Sequence, residues 1–164
     1  MNKAVFLDRD GIINKEIGDY IKNLSEFAFN PSVFSALKRL KEAGYLLIVI
    51  TNQGGLSKGI FTEKDFEAIT AYMQQELGAH QVNIDEIYYC SHHPDITKCL
   101  CRKPSPLMIE KAVARFKIDK NQSYMIGDSP RDVEAAEKAG IKGILIPANS
   151  DLNKVVTLIL ENKI

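Results

Sequence analysis

With 164 residues, 45% of them apolar, the chain is long enough to form one globular domain (1–164) with a sizeable core. Its 21 Lys and Arg balance its 21 Asp and Glu, so no net field draws in nucleic acid or an anionic membrane. The longest apolar runs, such as Tyr45 to Ile50, are far too short to cross a bilayer. Met1-Asn2-Lys3 runs into the first strand without a cleavable signal pattern, so a cytoplasmic protein is expected.

The first expected element is a buried strand, Ala4-Val5-Phe6-Leu7, which ends abruptly in Asp8-Arg9-Asp10-Gly11. Asn30-Pro31 should open a helix, with Asn30 as N-cap and Pro31 at the first position. Val33, Phe34, Leu37 and Leu40 give that helix its apolar face, and Gly44 closes it. Tyr45 to Ile50 reads as a second buried strand, followed by Thr51-Asn52-Gln53-Gly54-Gly55. Thr62 caps a helix with Phe66, Ile69, Tyr72, Met73 and Leu77 at helical spacing. A third strand, weaker in pattern, covers Ile84 to Tyr89 and leads into a Cys/His segment. Ser105-Pro106 starts a helix through Phe116, and Tyr124 to Ile126 is a fourth strand ending in Gly127-Asp128-Ser129-Pro130. A helix from Pro130 to Gly140, a fifth strand over Gly143 to Ile146 and a helix capped by Asp151 complete the chain. Strands alternating with helices in this way predict an α/β fold, with right-handed crossovers and helices on both faces of a central parallel sheet.

The chemistry-bearing residues fall where strands end. Residues i and i+2 of a strand point to one face, so Asp8 and Asp10 should project together into the crevice beyond the sheet edge. Two adjacent carboxylates there need a cation or a shared proton. The ends of strands two and four, with Thr51-Asn52-Gln53 and Gly127-Asp128-Ser129, should project from the same edge. Taken singly, each has an ordinary explanation: Asp-x-Asp-Gly as a turn, Lys103 as a surface lysine, Asp128 and Asp132 as helix-start acids. A second signal is Cys90-Ser91-His92-His93, then Cys99-Leu100-Cys101. Three cysteines confined to one short segment argue for a metal site over disulfides. Cys90, His92, Cys99 and Cys101 supply a closed tetrahedral Cys₃His set for a structural zinc in a loop over 90–101, with His93 as the alternative histidine.

Asp8-Arg9-Asp10-Gly11, Thr51-Asn52, Lys103 and Gly127-Asp128 with Asp132 resemble, in order, the four motifs of the haloacid dehalogenase-like (HAD) phosphohydrolases. The resemblance covers nearly the whole chain and implies their three-layer, Rossmann-like fold. No segment is long enough for a cap domain. It implies a magnesium-dependent phosphatase with Asp8 as nucleophile and Asp10 as general acid and base. Thr51 and Lys103 would serve the phosphoryl oxygens. Magnesium would be held by Asp8, the backbone carbonyl of Asp10 and Asp128, with Asp132 supporting the water shell or orienting Lys103.

The zinc loop narrows the likeness to the capless branch that contains D-glycero-D-manno-heptose 1,7-bisphosphate phosphatases and histidinol-phosphate phosphatases. Gly59-Ile60-Phe61-Thr62 and Tyr88-Tyr89-Cys90-Ser91-His92-His93-Pro94 look most like the heptose enzymes, which implies removal of the C7 phosphate and a place in heptose supply for surface polysaccharide. The short stretch from His92 to Cys99 is nearer the histidinol-phosphate length and keeps that substrate as the alternative. Glu16, Ile17, Gly18, Asp19, Thr51, Asn52, Gln53, Gly54, Arg102, Lys103 and Ser129 are the expected substrate contacts. The expected partner is a small phosphorylated metabolite, and the protein should be a monomer. A catalytically silent zinc-stabilised binding domain is the competing class; the joint presence of Asp8, Asp10, Thr51, Lys103 and Asp128 disfavours it.

Overall fold

The computed structural model of the chain describes residues 1–164. Five strands, β1 (Ala4–Leu7), β2 (Leu46–Asn52), β3 (Glu86–Cys90), β4 (Tyr124–Gly127) and β5 (Lys142–Leu145), form an all-parallel sheet in the order β3-β2-β1-β4-β5. β1 is central: Ala4 to Leu7 pair with Leu46 to Val49 on one side, and Val5 to Leu7 with Tyr124 to Ile126 on the other. All four β1 residues are fully buried, as an uninterrupted apolar run covered on both faces must be.

Alternation along the strands divides the core in two. Val5, Leu7, Leu47, Val49 and Ile126 face α1 (Val33–Glu42), α2 (Glu63–Ala79) and α5 (Leu152–Leu160). Ala4, Phe6, Ile48, Ile50 and Met125 face α3 (Leu107–Phe116) and α4 (Pro130–Lys138). The three-layer arrangement expected from the alternation of elements is therefore the one observed. The loops over 8–32 and 91–106 hold no helix or strand beyond a single 3₁₀ turn, Leu24–Glu26, so no cap is inserted. No helix is long and apolar enough to cross a membrane.

Local starts and stops differ from the sequence reading in instructive ways. α1 begins at Val33, because the Asn30 carboxamide accepts from the Ser32 amide at 3.1 Å and the Ser32 hydroxyl at 2.8 Å, making a turn ahead of the helix in place of an N-cap. β2 runs on through Thr51 and Asn52, since β3 offers Tyr89 and Cys90 as ladder partners there. β3 starts only at Glu86 and lies at the sheet edge, which accounts for its weak pattern. Tyr72, placed on the apolar face of α2 by its spacing, is 38% exposed and stands edge-on to Phe27. Thr62 caps α2 as expected, in a reciprocal capping box with Asp65.

Candidate active site

The carboxyl ends of β1, β2 and β4 open into one cleft of about 430 Å³. Asp8 follows β1, Asp128 and Ser129 follow β4, Asp132 sits in the first turn of α4, and Lys103 comes from the loop ahead of α3. Lys103 is 2% exposed, and its ammonium lies 2.9 Å from Asp8 Oδ1 and 2.7 Å from Asp132 Oδ1 and donates to the Ile50 carbonyl at 2.8 Å. All three of its hydrogens are thereby used. Asp8 Oδ1 also accepts from the Arg9 amide at 2.8 Å.

Glycines make this approach possible. Gly11 has φ +85°, and a Cβ there would fall 2.2 Å from Asp128 Oδ2. A Cβ on Gly127, the last residue of β4, would fall 2.3 Å from Asp132, so close packing against Asp132 requires glycine there.

Charge in the cleft is lopsided. Six acidic side chains line it against three basic ones, Arg102, Lys103 and Arg131. Burial, then the neighbouring Asp132 and Asp10, push the Asp8 carboxyl up to about 8 against the opposing pull of Lys103. Asp128 is pushed up as well, by burial and then by Asp132. Burial acts to lower Lys103, but Asp8 and Asp132 outweigh it and the ammonium is held above its ordinary range. Carboxylate oxygens of Asp8, Asp128 and Asp132 lie within 4.8 Å of one another. An all-oxygen set so short of counter-charge suits a hard divalent cation. The side chain of Asp10 stands apart from that trio and is instead tied to Arg9, Asn14 and Gln53.

Of the expected substrate contacts, Glu16, Gly18, Asp19, Asn52, Gly54, Arg102, Lys103 and Ser129 line the cleft. Ile17 does not; it points to solvent, 51% exposed. Thr51 and Gln53 are buried behind the wall, with Gln53 Nε2 donating to Thr51 Oγ1 at 2.9 Å and to Asp10 Oδ2 at 3.0 Å. Tyr20 and Arg131 line the cleft without having been singled out in the sequence, and neither carries a motif that would have flagged it.

Two asparagine clamps shape the rim. Asn52 Nδ2 donates to the Lys103 carbonyl and its Oδ1 accepts from the Lys103 amide. Asn149 does the same to Glu16, accepting from its amide at 2.6 Å and donating to its carbonyl at 3.0 Å. Asn149 was invisible in the sequence, because its partner lies 133 residues away.

Beside the cleft, Cys90 Sγ is 3.6 Å from Cys99 Sγ and 3.6 Å from His92 Nδ1. Cys101 Sγ is 3.1 Å from Cys90 Sγ and 3.4 Å from His92 Nδ1. These spacings approach the roughly 3.5–3.8 Å edges of a tetrahedron with zinc–sulfur bonds of about 2.3 Å and a zinc–nitrogen bond of about 2.0 Å. The donor set therefore fits a metal ion, and His92, not His93, completes it. His93 Nδ1 instead accepts from the Asp95 amide at 3.2 Å. Burial and the adjacent Cys101 thiol push Cys90 up to about 12. At Cys99 burial also acts upward, but the Arg102 and Cys101 amides outweigh it and lower the thiol. Arg102 Nη1 donates to the His92 carbonyl at 3.1 Å, which ties the cluster to the cleft wall.

Comparison with known proteins agrees with this geometry. The HAD-hydrolase-like family matches residues 100–155, which hold Lys103, Asp128 and Asp132. The chain is 44% identical to the D-glycero-beta-D-manno-heptose-1,7-bisphosphate 7-phosphatase of Haemophilus ducreyi, over 85% of this chain and 80% of that one. It is 40% identical to a D-glycero-alpha-D-manno-heptose-1,7-bisphosphate 7-phosphatase of Photorhabdus laumondii, over 85% of this chain and 79% of the relative. The crystal structure of D,D-heptose 1,7-bisphosphate phosphatase from B. bronchiseptica, complexed with magnesium and phosphate, superposes with a TM-score of 0.89 at 31% identity, covering 98% of this chain and 99% of that one. Fold and relatives together define a HAD-type phosphatase. Within that class, the chain belongs to the heptose-1,7-bisphosphate 7-phosphatase family.

Proposed function

We propose that this chain removes the 7-phosphate of D-glycero-D-manno-heptose 1,7-bisphosphate through an aspartyl-phosphate on Asp8. The observation that carries the reading is the Asp8–Lys103–Asp132 arrangement at the cleft floor, where Lys103 and the Arg9 amide hold Asp8 Oδ1 and leave Oδ2 free of N–H donors. Oδ2 attacks phosphorus in line with the departing C7 oxygen. Asp10 gives its proton to that alkoxide, then takes one from the water that attacks the aspartyl-phosphate, so Asp8 and Asp10 return to their starting states as phosphate leaves. A phosphoryl oxygen takes over one Lys103 hydrogen from the acids that now share them.

The carboxylates of Asp8 and Asp128, with the Asp10 backbone carbonyl, would hold magnesium, which when bound offsets the charge that otherwise opposes attack on a phosphate dianion. Asp132 keeps Lys103 in place. Cys90, His92, Cys99 and Cys101 would hold a structural zinc, which would fix the segment whose His92 carbonyl accepts from Arg102 at the cleft wall. Arg102 and the loop over 16–19 select the part of the substrate beyond the reacting phosphate, the role left to loops where no cap is present. Free thiols grouped as one metal-binding set fit a reducing, cytoplasmic compartment, where the enzyme would act as a monomer on a small phosphorylated metabolite.

The deciding experiment is phosphate release, with magnesium, from the alpha and beta anomers of heptose 1,7-bisphosphate and from histidinol phosphate. A preference of about 100-fold in kcat/KM for one heptose anomer, roughly 2.7 kcal/mol of differential transition-state binding, is the expected result. Preference for histidinol phosphate overturns the substrate while keeping the mechanism. No turnover of any of them would revive the silent binding domain.

A further inference from the structure

Behind the cleft wall lies a buried charged side chain to which the mechanism above gives no work. Arg9 lies between the two aspartates of the first motif, yet it is 1% exposed and lines nothing. Its Nε donates to Asp10 Oδ1 at 3.1 Å, and its Nη2 to the same oxygen at 2.9 Å and to Oδ2 only at 3.3 Å. Asn14 Nδ2 adds a further donor to Oδ1 at 2.9 Å, whereas Oδ2 takes its one close hydrogen bond from Gln53, at 3.0 Å. Asn14 and Gln53 are themselves buried. Oδ1 is thus held by three N–H groups at 2.9 to 3.1 Å, whereas Oδ2 takes one at 3.0 Å and a longer one at 3.3 Å, and is the less tightly held oxygen.

The arrangement is not what stability alone would favour. Two buried side-chain polar atoms in the molecule lack any partner, Arg9 Nη1 and Asn14 Oδ1, and both belong to groups that grip Asp10. Each such orphan is a cost that well-packed apolar side chains would avoid. Orphaned groups that persist around a single carboxylate point to a demand on its orientation.

The geometry points to Arg9 as a positioning residue: with Asn14 and Gln53 it locks the Asp10 carboxylate so that Oδ2 alone exchanges the proton with the leaving oxygen. The inference deepens the acid–base reading of Asp10 and rests on it. It predicts that Arg9 matters in proportion to the leaving group's need for a proton.

The test compares kcat/KM of wild type, Asp10→Asn and Arg9→Met on two esters. One is a sugar phosphate, whose alkoxide must be protonated. The other is p-nitrophenyl phosphate, whose phenolate departs without a proton. kcat/KM reports only the steps up to the aspartyl-phosphate, so the later use of Asp10 as base does not blur the comparison. Arg9→Met is expected to lower kcat/KM about 100-fold on the sugar phosphate, the lower end of what general acid catalysis supplies, and to spare p-nitrophenyl phosphate. If Asp10→Asn separates the two esters and Arg9→Met lowers both alike, Arg9 is merely structural and the inference falls alone. If Asp10→Asn itself fails to separate them, the acid–base reading falls and takes the inference with it. Should Arg9→Met not fold by thermal melting, Gln53→Leu, which removes the close donor to Oδ2, must show the same separation, and equal losses on both esters overturn the proposal.

Discussion

Asn52 grips the peptide of Lys103 from both sides, its amide donating to the carbonyl at 3.1 Å and its carbonyl accepting from the N–H at 3.0 Å. The end of β2 therefore fixes the backbone from which Lys103 reaches Asp8, with no contact to substrate required. Replacing Asn52 by Leu leaves a donor and an acceptor of Lys103 unpaired, at about 1–3 kcal/mol for each group that stays dry. The expected outcome is a fall in kcat/KM of about 10- to 100-fold together with a lower melting temperature. Steady-state kinetics beside thermal melting measure the two effects.

Asn149 applies the same two-way grip to Glu16, on the loop that lines the outer cleft. In the proposed mechanism that loop meets the part of the substrate beyond the reacting phosphate, so its order should contribute binding common to ground and transition states. Asn149→Ala is expected to raise KM several-fold for the heptose substrate with kcat little changed. A drop in kcat at unchanged KM would place the loop in the chemical step instead.

Gly11 leaves no room for a side chain, since a Cβ would lie 2.2 Å from Asp128 Oδ2 on a backbone already at φ +85°. Gly11→Ala must displace the Asp128 carboxylate or the turn itself. The magnesium concentration for half-maximal activity should rise at least about tenfold, as loss of a well-placed ligand group does in metal sites. A titration of activity against magnesium reads this directly.

The thiol cluster gives a prediction on metal removal. Elemental analysis should find about one zinc per chain, and Cys99→Ser should abolish it. Loss of that ion frees the loop carrying Arg102 and Lys103, so a melting-temperature drop of roughly 10 °C and lost activity are expected together. Magnesium depletion should abolish activity reversibly without that drop.

A pH dependence follows from Asp8. Its folded-state value, pushed up to about 8 chiefly by burial, lies above its ordinary 3.8. Between those values the folded state binds a proton that the unfolded state has lost, so stability falls as pH rises through this window and levels off above about 8. Urea melts of magnesium-depleted protein from pH 5 to pH 9 should show this slope, and Asp8→Asn should flatten it. Magnesium, by favouring the ionised carboxylate, should flatten it in the wild type. Lys103 is pushed in the direction that keeps it charged across the same range.

The sequence carried local information well. The central position of Ala4–Leu7 was legible because a strand buried on both faces has to be apolar throughout, and the capping box at Thr62 because it closes within one helical turn. The Cys90–Cys101 segment was legible because its ligands sit close along the chain, though only the folded loop turned His92 toward the thiols and His93 toward Asp95. Helical spacing overreached at Tyr72, and assigning the whole loop over 16–19 to the substrate overreached at Ile17, because neither period nor loop membership tells a residue that faces the cleft or core from one that faces water.

What the sequence determined by itself was thus the order of elements, the run of residues at each strand end and the identity of the acidic and thiol groups, all set by short-range patterns. Only the tertiary structure decided which of those groups share a proton, a donor or an ion. Lys103 meets Asp132, Asn52 meets Lys103 and Asn149 meets Glu16 across large sequence separations, and such contacts are selected by the parallel sheet that brings distant strand ends to one edge.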